Sequence, residues 1–468
     1  MARQRRPGVN ERMKVTVIGT GHVGLVTCVT MSMLGHDVVG TDMDQEKVAL
    51  LRRGIPPFFE EGLEQALRAE LTSGRLAFSG EPADALRDAE VVFICVGTPA
   101  RSDGEANLIA MEGAARDVAH HGRDGVVVVE KSTVPAGTSE RVRLTLTRES
   151  RGLRFDVASN PEFLREGTAL ADSLRPDRIV LGVQSDWARD VLRRLYAPLT
   201  DQGHELLETD IATAELAKHA ANAFLAMKIS FSNGLARICE RAGADVVAVA
   251  DVMGSDPRIG RAFLNAGLGY GGYCFPKDVA ALDRLASRLG YDFRLLREVS
   301  RMNDEAVEAA AAKVHEAVWN IEGKRIALLG LAFKAGTDDV RFSPALQLAE
   351  RLVSAGADLH GYDPRAADTA REELPDLNVS DTAYAAAAGA HCVVIATEWP
   401  EFRDLDLARL REVMAYPVIV DARNVLDREA VARAGFAYYP TGRTAILTTD
   451  VTAGPVSVEA VAVASGAA

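Results

Sequence analysis

A short apolar run, residues 14–18, leads directly into a glycine-rich turn, Gly19-Thr20-Gly21-His22-Val23-Gly24. A helical apolar stretch follows and ends near Gly35, and residues 36–42 form a second strand pattern that ends on Asp42. A Gly-x-Gly-x-x-Gly sequence is specific only in such a context, where it follows a strand, opens a helix and precedes an acid by about twenty residues. The chain is therefore expected to begin with a βαβ unit of an open, mostly parallel sheet.

Each part of this turn has a physical task in binding a dinucleotide. Gly19 permits the tight turn, Gly21 lets a pyrophosphate approach the backbone, and Gly24 allows helix and sheet to pack closely. The helix N-terminus receives the phosphates. Asp42 would accept hydrogen bonds from the adenosine ribose and repel a 2′-phosphate, so we expect NAD rather than NADP as the cofactor.

Two further strand patterns extend the same sheet. Residues 91–96 lead to Thr98, and residues 126–129 lead to Thr133. Because ligands in such sheets bind at the carboxyl ends of the strands, both threonines are expected to touch the cofactor. A plain turn and a helix N-cap are the alternative explanations for them, and either can coexist with binding.

The second half of the chain repeats the scheme of the first. Its strand patterns are residues 325–330, 358–363, 392–397 and 418–421. The turn after the first of these, Gly330-Leu331-Ala332-Phe333-Lys334, lacks the three-glycine fingerprint, so a second dinucleotide is not expected there. Lys334 is instead placed to meet a phosphate or the substrate.

A long helical pattern, residues 211–242, lies between the two halves. It is expected to bridge them and to offer a surface for a homodimer or larger homo-oligomer. Lys218 and Asn222 are four residues apart and therefore share one helix face. A helical lysine usually faces solvent, but the alanines around this pair favour a cleft. The patterns together predict an α/β fold with two Rossmann-type domains, parallel-rich sheets and a long central helix.

Cys274 ends a glycine-rich segment, residues 267–273, and precedes Pro276 and Lys277. Proline suits the first turn of a helix, so Cys274 is expected at a helix N-terminus. The helix dipole and the lysine ammonium favour a thiolate there, which makes this cysteine a candidate covalent nucleophile. The alternative is a small hydrophobic residue that follows a turn. The other cysteines lie in apolar runs and are expected in the core: Cys28, Cys95, Cys239 and Cys392.

Composition excludes several classes of function. The five cysteines are odd in number and have no metal-ligand spacing, so neither a disulfide framework nor a metal site is expected. Free thiols favour a reducing compartment, and we expect the cytoplasm. The net charge of −13 argues against a nucleic-acid partner. No segment is long and apolar enough to suggest a membrane partner.

Ordered motifs along nearly the whole chain, from Lys14 to about Arg443, resemble the UDP-glucose/GDP-mannose dehydrogenase family. The motifs are the glycine-rich turn, Val96-Gly97-Thr98-Pro99, Glu130-Lys131-Ser132-Thr133-Val134-Pro135, Asn160-Pro161-Glu162-Phe163-Leu164-Arg165-Glu166-Gly167, Lys218-His219-Ala220-Ala221-Asn222-Ala223-Phe224, the Cys274 loop, Gly330-Leu331-Ala332-Phe333-Lys334 and Thr337-Asp338-Asp339-Val340-Arg341. The match of so many motifs in one order makes coincidence a poor explanation.

The resemblance implies a four-electron oxidation of the C6 alcohol of a nucleotide sugar, with two NAD reduced in turn. UDP-glucose, oxidised to UDP-glucuronate through a cysteine thiohemiacetal and thioester, is the substrate we expect. The product would serve polysaccharide or glycoconjugate synthesis. Three alternatives remain open. The substrate could be GDP-mannose or a UDP-N-acetylhexosamine, the enzyme could be a two-electron 3-hydroxy acid dehydrogenase, or the chain could be a non-catalytic NAD-binding protein.

The resemblance also implies roles for matching residues. The catalytic set would be Cys274 as nucleophile, Lys218 and Asn222 as holders of the oxyanion, Asp278 as the residue that positions or activates water, and Glu162 and Thr133 as assistants in proton transfer. Cofactor contacts would come from Gly19, Gly21, Gly24, Asp42, Lys47, Thr98, Thr133, Glu166 and Arg341. Substrate contacts would come from Glu162, Phe163, Leu164, Lys218, Asn222, Arg258, Tyr270, Gly271, Lys334 and Arg443.

The expected domain plan has five segments. They are a disordered lead-in without signal-peptide character (residues 1–12), an NAD-binding Rossmann-type domain (13–205), a central helical dimerisation and substrate region (206–305), a UDP-sugar-binding Rossmann-like domain (306–450) and a flexible tail (451–468).

Four positions depart from the family pattern: His22, Asn265, Tyr273 and Phe342 stand where tyrosine, lysine, serine and an acid are more usual. Asn265 and Tyr273 belong to the sugar-nucleotide loop, so they weaken the substrate prediction more than the prediction of the reaction.

Overall fold

The computed structural model of the chain describes residues 11–99, 101, 106–150 and 152–447. Most of the expected lead-in and the whole of the expected flexible tail lie outside these residues. The described chain forms two β-sheets with helices on both faces of each.

The first sheet has eight strands in the order β3-β2-β1-β4-β5-β6-β7-β8. These strands are β1 (Lys14–Ile18), β2 (Asp37–Thr41), β3 (Leu76–Ser79), β4 (Val91–Ile94), β5 (Val126–Glu130), β6 (Phe155–Ser159), β7 (Ile179–Gly182) and β8 (Leu206–Thr209). All neighbours pair in parallel except β6 and β7, which meet antiparallel at Ser159 and Gly182.

The second sheet has six parallel strands in the order β11-β10-β9-β12-β13-β14. They are β9 (Arg325–Leu329), β10 (Asp358–Tyr362), β11 (Asn378–Val379), β12 (Cys392–Ile395), β13 (Val418–Asp421) and β14 (Ala437–Pro440). Both sheets thus contain the 3-2-1-4-5-6 order of a dinucleotide-binding fold, which places a ligand crevice beyond β1 and β4 and another beyond β9 and β12.

Eighteen helices flank and connect the sheets within the part of the chain that the structure describes. They are α1 (His22–Met33), α2 (Gln45–Arg52), α3 (Leu63–Ser73), α4 (Pro82–Leu86), α5 (Ile109–His121), α6 (Thr138–Glu149), α7 (Ala169–Leu174), α8 (Asp186–Thr200), α9 (Ile211–Ala242), α10 (Val246–Gly254), α11 (Cys274–Arg288), α12 (Arg294–Val318), α13 (Pro344–Ser354), α14 (Ala367–Glu373), α15 (Ala383–Ala387), α16 (Pro400–Arg403), α17 (Leu407–Val413) and α18 (Arg428–Arg433).

The long helix α9 connects the halves of the molecule. It begins after Asp210, whose side chain accepts a hydrogen bond from the Thr213 amide at 2.9 Å, and it ends at Gly243, whose φ of 69° breaks the helix. Helices α11 and α12 pack against it. The predicted fold class, with two parallel-rich sheets and a long central helix, is confirmed.

The hydrophobic core lies between the two sheets and the helices that cover them. Every residue of β4 and of β12 is buried, as expected for strands covered by helices on both faces. Within the described residues no helix is long and apolar enough to cross a membrane.

The cysteines divide as the sequence predicted. Cys28, Cys95, Cys239 and Cys392 are buried and unpaired in the core, whereas Cys274 is only half-buried. Across the described ranges, no cluster of three or more His, Cys, Asp or Glu side chains could hold a metal ion.

Candidate active site

The glycine-rich turn forms an open cradle at the start of α1. A Cβ atom built on Gly24 would lie 1.8 Å from the Gly19 carbonyl oxygen, whereas one built on Gly21 would meet nothing within 4 Å. Gly21 is the N-cap residue of α1, and no side chain caps this helix. The first amides of α1 can therefore face a ligand, and the free space suits the pyrophosphate of a dinucleotide.

Asp42 follows β2 at the edge of this cradle. Its Oδ2 atom accepts hydrogen bonds from the Thr20 amide at 2.8 Å and from Lys47 Nζ at 3.0 Å. Burial raises the pKa of Asp42, but hydrogen bonds from the backbone amides of Thr20 and Asp44 and from Lys47 outweigh it, so the pKa falls below its usual value. Asp42 is thus an ionised acceptor, and Lys47 lies beside it.

The ends of β4 and β5 meet through two threonines. The Thr98 hydroxyl donates to the Thr133 carbonyl oxygen at 2.9 Å. Both residues therefore lie at the crevice edge of the first sheet, where the sequence placed them.

Three buried polar atoms near the cradle have no hydrogen-bond partner among the described residues, namely His22 Nε2, Glu60 Oε1 and Glu166 Oε2. Burial raises the pKa of Glu166 to about 8. Arg341 lies 3.9 Å from the other Glu166 oxygen and forms a bidentate pair with Asp339. Unpartnered atoms beside a cation suit a polar ligand, so Glu166 and Arg341 fit the expected cofactor side of the site.

The His22 ring also makes an apolar contact. Its ring stacks on Phe58 with centroids 3.9 Å apart. Burial and the nearby Arg341 lower the pKa of His22 to about 4, so the imidazole is neutral at physiological pH. A narrow cavity of about 30 Å³ joins this stack to the cysteine, and its polar and reactive lining residues are His22, Glu60, Glu162, Glu166 and Cys274.

Lys218 lies in a buried ion pair with Glu162. The Lys218 Nζ to Glu162 Oε1 distance is 2.9 Å, and the two side chains are 4% and 5% exposed. Burial by itself lowers the pKa of Lys218, but the anionic neighbours, Glu162 first, raise it above its ordinary value. Lys218 is therefore an ammonium, and it is buried rather than facing solvent as helical lysines usually do.

Asn222 links this pair to Asp278. Its Oδ1 atom accepts from Lys218 Nζ at 3.5 Å, and its Nδ2 atom donates to Asp278 Oδ2 at 2.6 Å. Asp278 is fully buried and also accepts from Lys277 Nζ at 2.8 Å. His219 Nδ1 lies 3.7 Å from the same carboxylate. The contacts form a continuous buried chain from Glu162 to Asp278, which fixes the Asn222 amide orientation.

Cys274 begins α11, as predicted, but the expected thiolate is wrong for the free protein. Burial, and after it the Glu162 carboxylate, raises the pKa of the Cys274 thiol to about 12. Lys218 opposes this effect only in part. Lys277, which the sequence placed as an assisting cation, donates to Asp278 instead. Desolvation outweighs the helix dipole, so Cys274 is a neutral thiol.

The segment before Cys274 is held by its surroundings on two sides. The Tyr270 amide donates to Asn303 Oδ1 at 2.7 Å, and the Tyr270 carbonyl oxygen accepts from Asn303 Nδ2 at 3.0 Å. A Cβ atom built on Gly271 would lie 2.3 Å from the Phe342 carbonyl oxygen, so only glycine allows this close passage. The loop is thus wedged between α12 and the second Rossmann-type half.

Some of the other predicted substrate residues lie near Cys274 and Lys218, and others lie apart from them. The Leu164 amide donates to Glu162 Oε2 at 2.6 Å, and the Phe163 ring lies 5.3 Å from Lys218 Nζ. Burial lowers the pKa of Lys334, and the nearby Glu166 opposes that shift. These three residues adjoin the Cys274 cluster, which consists of Cys274, Glu162, Lys218, Asn222 and Asp278.

Arg258 and Arg443 do not join that cluster among the described residues. The Arg258 side chain is 87% exposed and pairs with Asp256. Arg443 pairs with Asp245 at 2.7 Å.

Arg423 is a further candidate residue that the sequence analysis did not single out. It follows β13, and its guanidinium donates to the Ala396 carbonyl oxygen at 2.9 Å and to the Gly269 carbonyl oxygen at 3.4 Å. It borders a cavity of about 190 Å³ between the central region and the second sheet, whose polar lining residues are Arg261, Asn265, Glu398, Arg403, Arg423 and Asn424. The sequence feature that could have identified Arg423 is its position as a basic residue just beyond the terminal acid of a buried strand. Such positions contact ligands in sheets of this kind.

Comparison with known proteins agrees with this geometry. Models of the NAD binding, central and UDP binding domains of the UDP-glucose/GDP-mannose dehydrogenase family match residues 13–200, 212–305 and 327–428. A UDP-glucose 6-dehydrogenase of Rhizobium meliloti is 46% identical over 435 residues, covering 92% of this chain and 100% of that protein.

Comparison with solved structures also finds nucleotide-sugar dehydrogenases. A UDP-glucose dehydrogenase from Pyrobaculum islandicum matches with a TM-score of 0.87 and 38% identity, covering 94% of this chain and 100% of that one. A UDP-D-ManNAc dehydrogenase from Pyrococcus horikoshii matches with a TM-score of 0.81 and 30% identity, covering 92% and 99%. The chain therefore belongs to the UDP-glucose/GDP-mannose dehydrogenase family and is an NAD-dependent oxidoreductase.

Proposed function

We propose that this chain oxidises the C6 alcohol of UDP-glucose to the carboxylate of UDP-glucuronate in two successive NAD-dependent steps at Cys274. The observation that carries the proposal is the shared cavity that joins Cys274 to His22 at the start of α1, beside the buried Lys218 ammonium. A thiol next to a cofactor crevice suits oxidation of an aldehyde to an acid, which a base alone does not accomplish.

In the first oxidation the sugar alcohol loses a proton from oxygen and a hydride from carbon. Lys218 would hold the developing oxyanion. Its Nζ atom contacts Glu162 and Asn222, and within the described residues its third N–H donor is left for the substrate. Glu162, assisted by Thr133, would take up the alcohol proton through a water molecule. NAD, when bound, supplies the hydride acceptor for both oxidations.

In the second oxidation the Cys274 sulfur would form a C–S bond with the aldehyde carbon, and its proton would pass to the carbonyl oxygen. Loss of a second hydride and of the hydroxyl proton leaves a thioester. Water then forms the new C–O bond, the C–S bond breaks, and the thiol regains a proton. Asp278 would position this water through its hold on Asn222.

The nucleotide part of the substrate would occupy the 190 Å³ cavity beside the second sheet. Arg423 and Arg261 offer cations for the diphosphate, and the loop that contains Tyr270 and Gly271 leads from this cavity to Cys274. In this plan residues 13–205 bind NAD, residues 206–305 carry the catalytic helix faces, and residues 306–450 bind the UDP moiety. The choice of UDP-glucose rests on the relatives that carry that name.

The substrate proposal is tested by comparing kcat/KM for UDP-glucose, UDP-N-acetylmannosamine and GDP-mannose under identical conditions. We expect UDP-glucose to exceed the others by at least about 100-fold, because a missing or misplaced polar group leaves buried partners unpaired. A preference for UDP-N-acetylmannosamine, the class of sugar named for the Pyrococcus horikoshii structure, would overturn the choice of sugar and leave the chemistry intact.

The raised pKa of Cys274 predicts a steep pH dependence of its alkylation. Only the thiolate reacts, and a thiol with a pKa of about 12 gains thiolate about tenfold per pH unit below that value. We expect the iodoacetamide rate constant for Cys274, followed by peptide mass spectrometry, to rise in this way from about pH 7 to about pH 9. The buried Cys239 provides the internal reference. A plateau near neutral pH would show that the thiol is activated in the free protein.

We also propose that α9 forms a homodimer interface. Four of its apolar side chains are 43% to 62% exposed at spacings of seven or eight residues: Leu216, Phe224, Phe231 and Ile238. Such spacing makes one stripe along a helix about 48 Å long, which suits a second copy of the same helix. Larger assemblies could form from such dimers. The free cysteines support a cytoplasmic location.

Acidic substitutions in the stripe should dissociate this dimer. We expect Phe224→Glu/Phe231→Glu to shift the mass in light scattering from dimer to monomer, because both carboxylates would have to be desolvated in the interface. Leu289→Glu, at a side chain that is 76% exposed but outside the stripe, should remain dimeric. Retention of the wild-type mass by the double variant would exclude this interface.

A further inference from the structure

Tyr273 lies beside two cations directly before the cysteine. The Arg341 guanidinium is 4.8 Å from the centroid of its ring, and Lys277 Nζ is 5.7 Å from it. Both distances fall within the range of cation–π attraction. Burial raises the pKa of the Tyr273 hydroxyl, so the phenol is neutral.

The contacts of Tyr273 come from separate parts of the molecule. Arg341 belongs to the second half of the chain, is clamped by Asp339, and reaches toward Glu166 on the cofactor side. The Thr98 backbone, just beyond β4, lies close enough to the Tyr273 hydroxyl to lower its pKa, which opposes part of the effect of burial. One side chain thus connects both halves of the molecule at the mouth of the cofactor crevice.

A local structural role does not account for a tyrosine at this position. Tyr273 is the N-cap residue of α11, and its side chain makes no capping hydrogen bond. The backbone of Tyr273 is already helical, with φ −68° and ψ −32°, whereas a capping side chain requires an extended backbone. The position therefore has no capping role to fill, and the ring contacts the two cations instead.

We propose that Tyr273 is a positioning residue for the cofactor, which holds Arg341 at the side of the crevice where the dinucleotide binds. The inference rests on the proposed function only in placing NAD at that crevice. The bidentate pair with Asp339 holds one edge of the Arg341 guanidinium. The ring of Tyr273 provides a second contact to the guanidinium and ties it to the N-terminus of α11, next to Cys274. Affinity for NAD should therefore depend on the ring, and only as long as Arg341 is present.

The test measures the Kd for NAD by protein fluorescence in a double-mutant cycle, without any sugar. We expect Tyr273→Leu to weaken NAD binding by about threefold to thirtyfold, the range that one or two cation–π contacts supply. Tyr273→Phe, which keeps the ring, should recover most of that loss. In an Arg341→Met background, Tyr273→Leu should add less than about twofold.

A matched control is Tyr416→Ala, which removes another aromatic ring under a lysine, with Lys324 Nζ 5.1 Å from its centroid, in the second half of the chain. It should leave the Kd for NAD unchanged. Wild-type affinity in Tyr273→Leu, or a loss that persists in full without Arg341, would overturn the proposal. If Tyr273→Leu fails to fold, Tyr273→Ser takes its place in the cycle. Because no turnover is measured, a failure of the UDP-glucose proposal would leave this result unaffected.

Discussion

Cys274→Ser is expected to lower kcat with UDP-glucose by at least about 10³-fold, since a serine hydroxyl is a far weaker nucleophile than a thiol toward the aldehyde. The change is nearly isosteric at a half-buried position, so the Kd for NAD should change by less than about twofold. Initial-rate kinetics and NAD titration measure the two quantities separately.

The control for this variant is Cys239→Ser, on α9 and away from the Lys218 contacts. It should retain wild-type kcat. If Cys274→Ser kept more than about a tenth of wild-type turnover, the covalent route would be excluded and Cys274 would have a structural role.

Lys218→Met is expected to remove both stability and activity. It leaves the Glu162 carboxylate buried without its cation, which costs about 3–5 kcal/mol of unfolding free energy when one partner of a buried pair is lost. Loss of the oxyanion donor should lower kcat by about 10²–10³-fold or more. Urea denaturation measures the change in unfolding free energy, and steady-state kinetics measure the change in kcat.

The double variant Lys218→Met/Glu162→Gln separates the two effects. Removing both charges should restore most of the stability, because no unpaired ion remains, while turnover stays low. Lys313→Met, which breaks a partly exposed pair with Glu240, serves as the control and should change stability only slightly. Recovery of turnover in the double variant would contradict the role proposed for Lys218.

Much of the fold follows from local sequence patterns. The strand Val418–Asp421 and the helix Ile211–Ala242 coincide with their predicted residues. Buried strands of parallel sheets are continuous apolar runs, and a long amphipathic helix repeats its period many times, so both produce strong signals.

Other strands left no comparable signal. Strand β8 (Leu206–Thr209) lies at a sheet edge with no fully buried residue, and β11 (Asn378–Val379) has two residues. Their pairing with β7 and β10 depends on tertiary contacts, which single-sequence patterns do not record.

The candidate site also combines features that local sequence patterns predict with features that depend on tertiary packing. Helical spacing predicted that Lys218 and Asn222 share a face, and they do. The contact of Asn222 with Asp278, 56 residues away, follows only from the packing of α11 on α9. The thiol pKa was mispredicted because helix dipole and neighbouring lysine are visible in sequence, whereas burial among carboxylates is not.

The most direct test of the central claim is the yield of NADH per UDP-glucose, with limiting sugar and the reaction run to completion. Two NADH for each sugar, with UDP-glucuronate as the product, is the result that a Cys274-dependent four-electron oxidation predicts. One NADH per sugar with release of the aldehyde would contradict it and show that the chain performs a single oxidation.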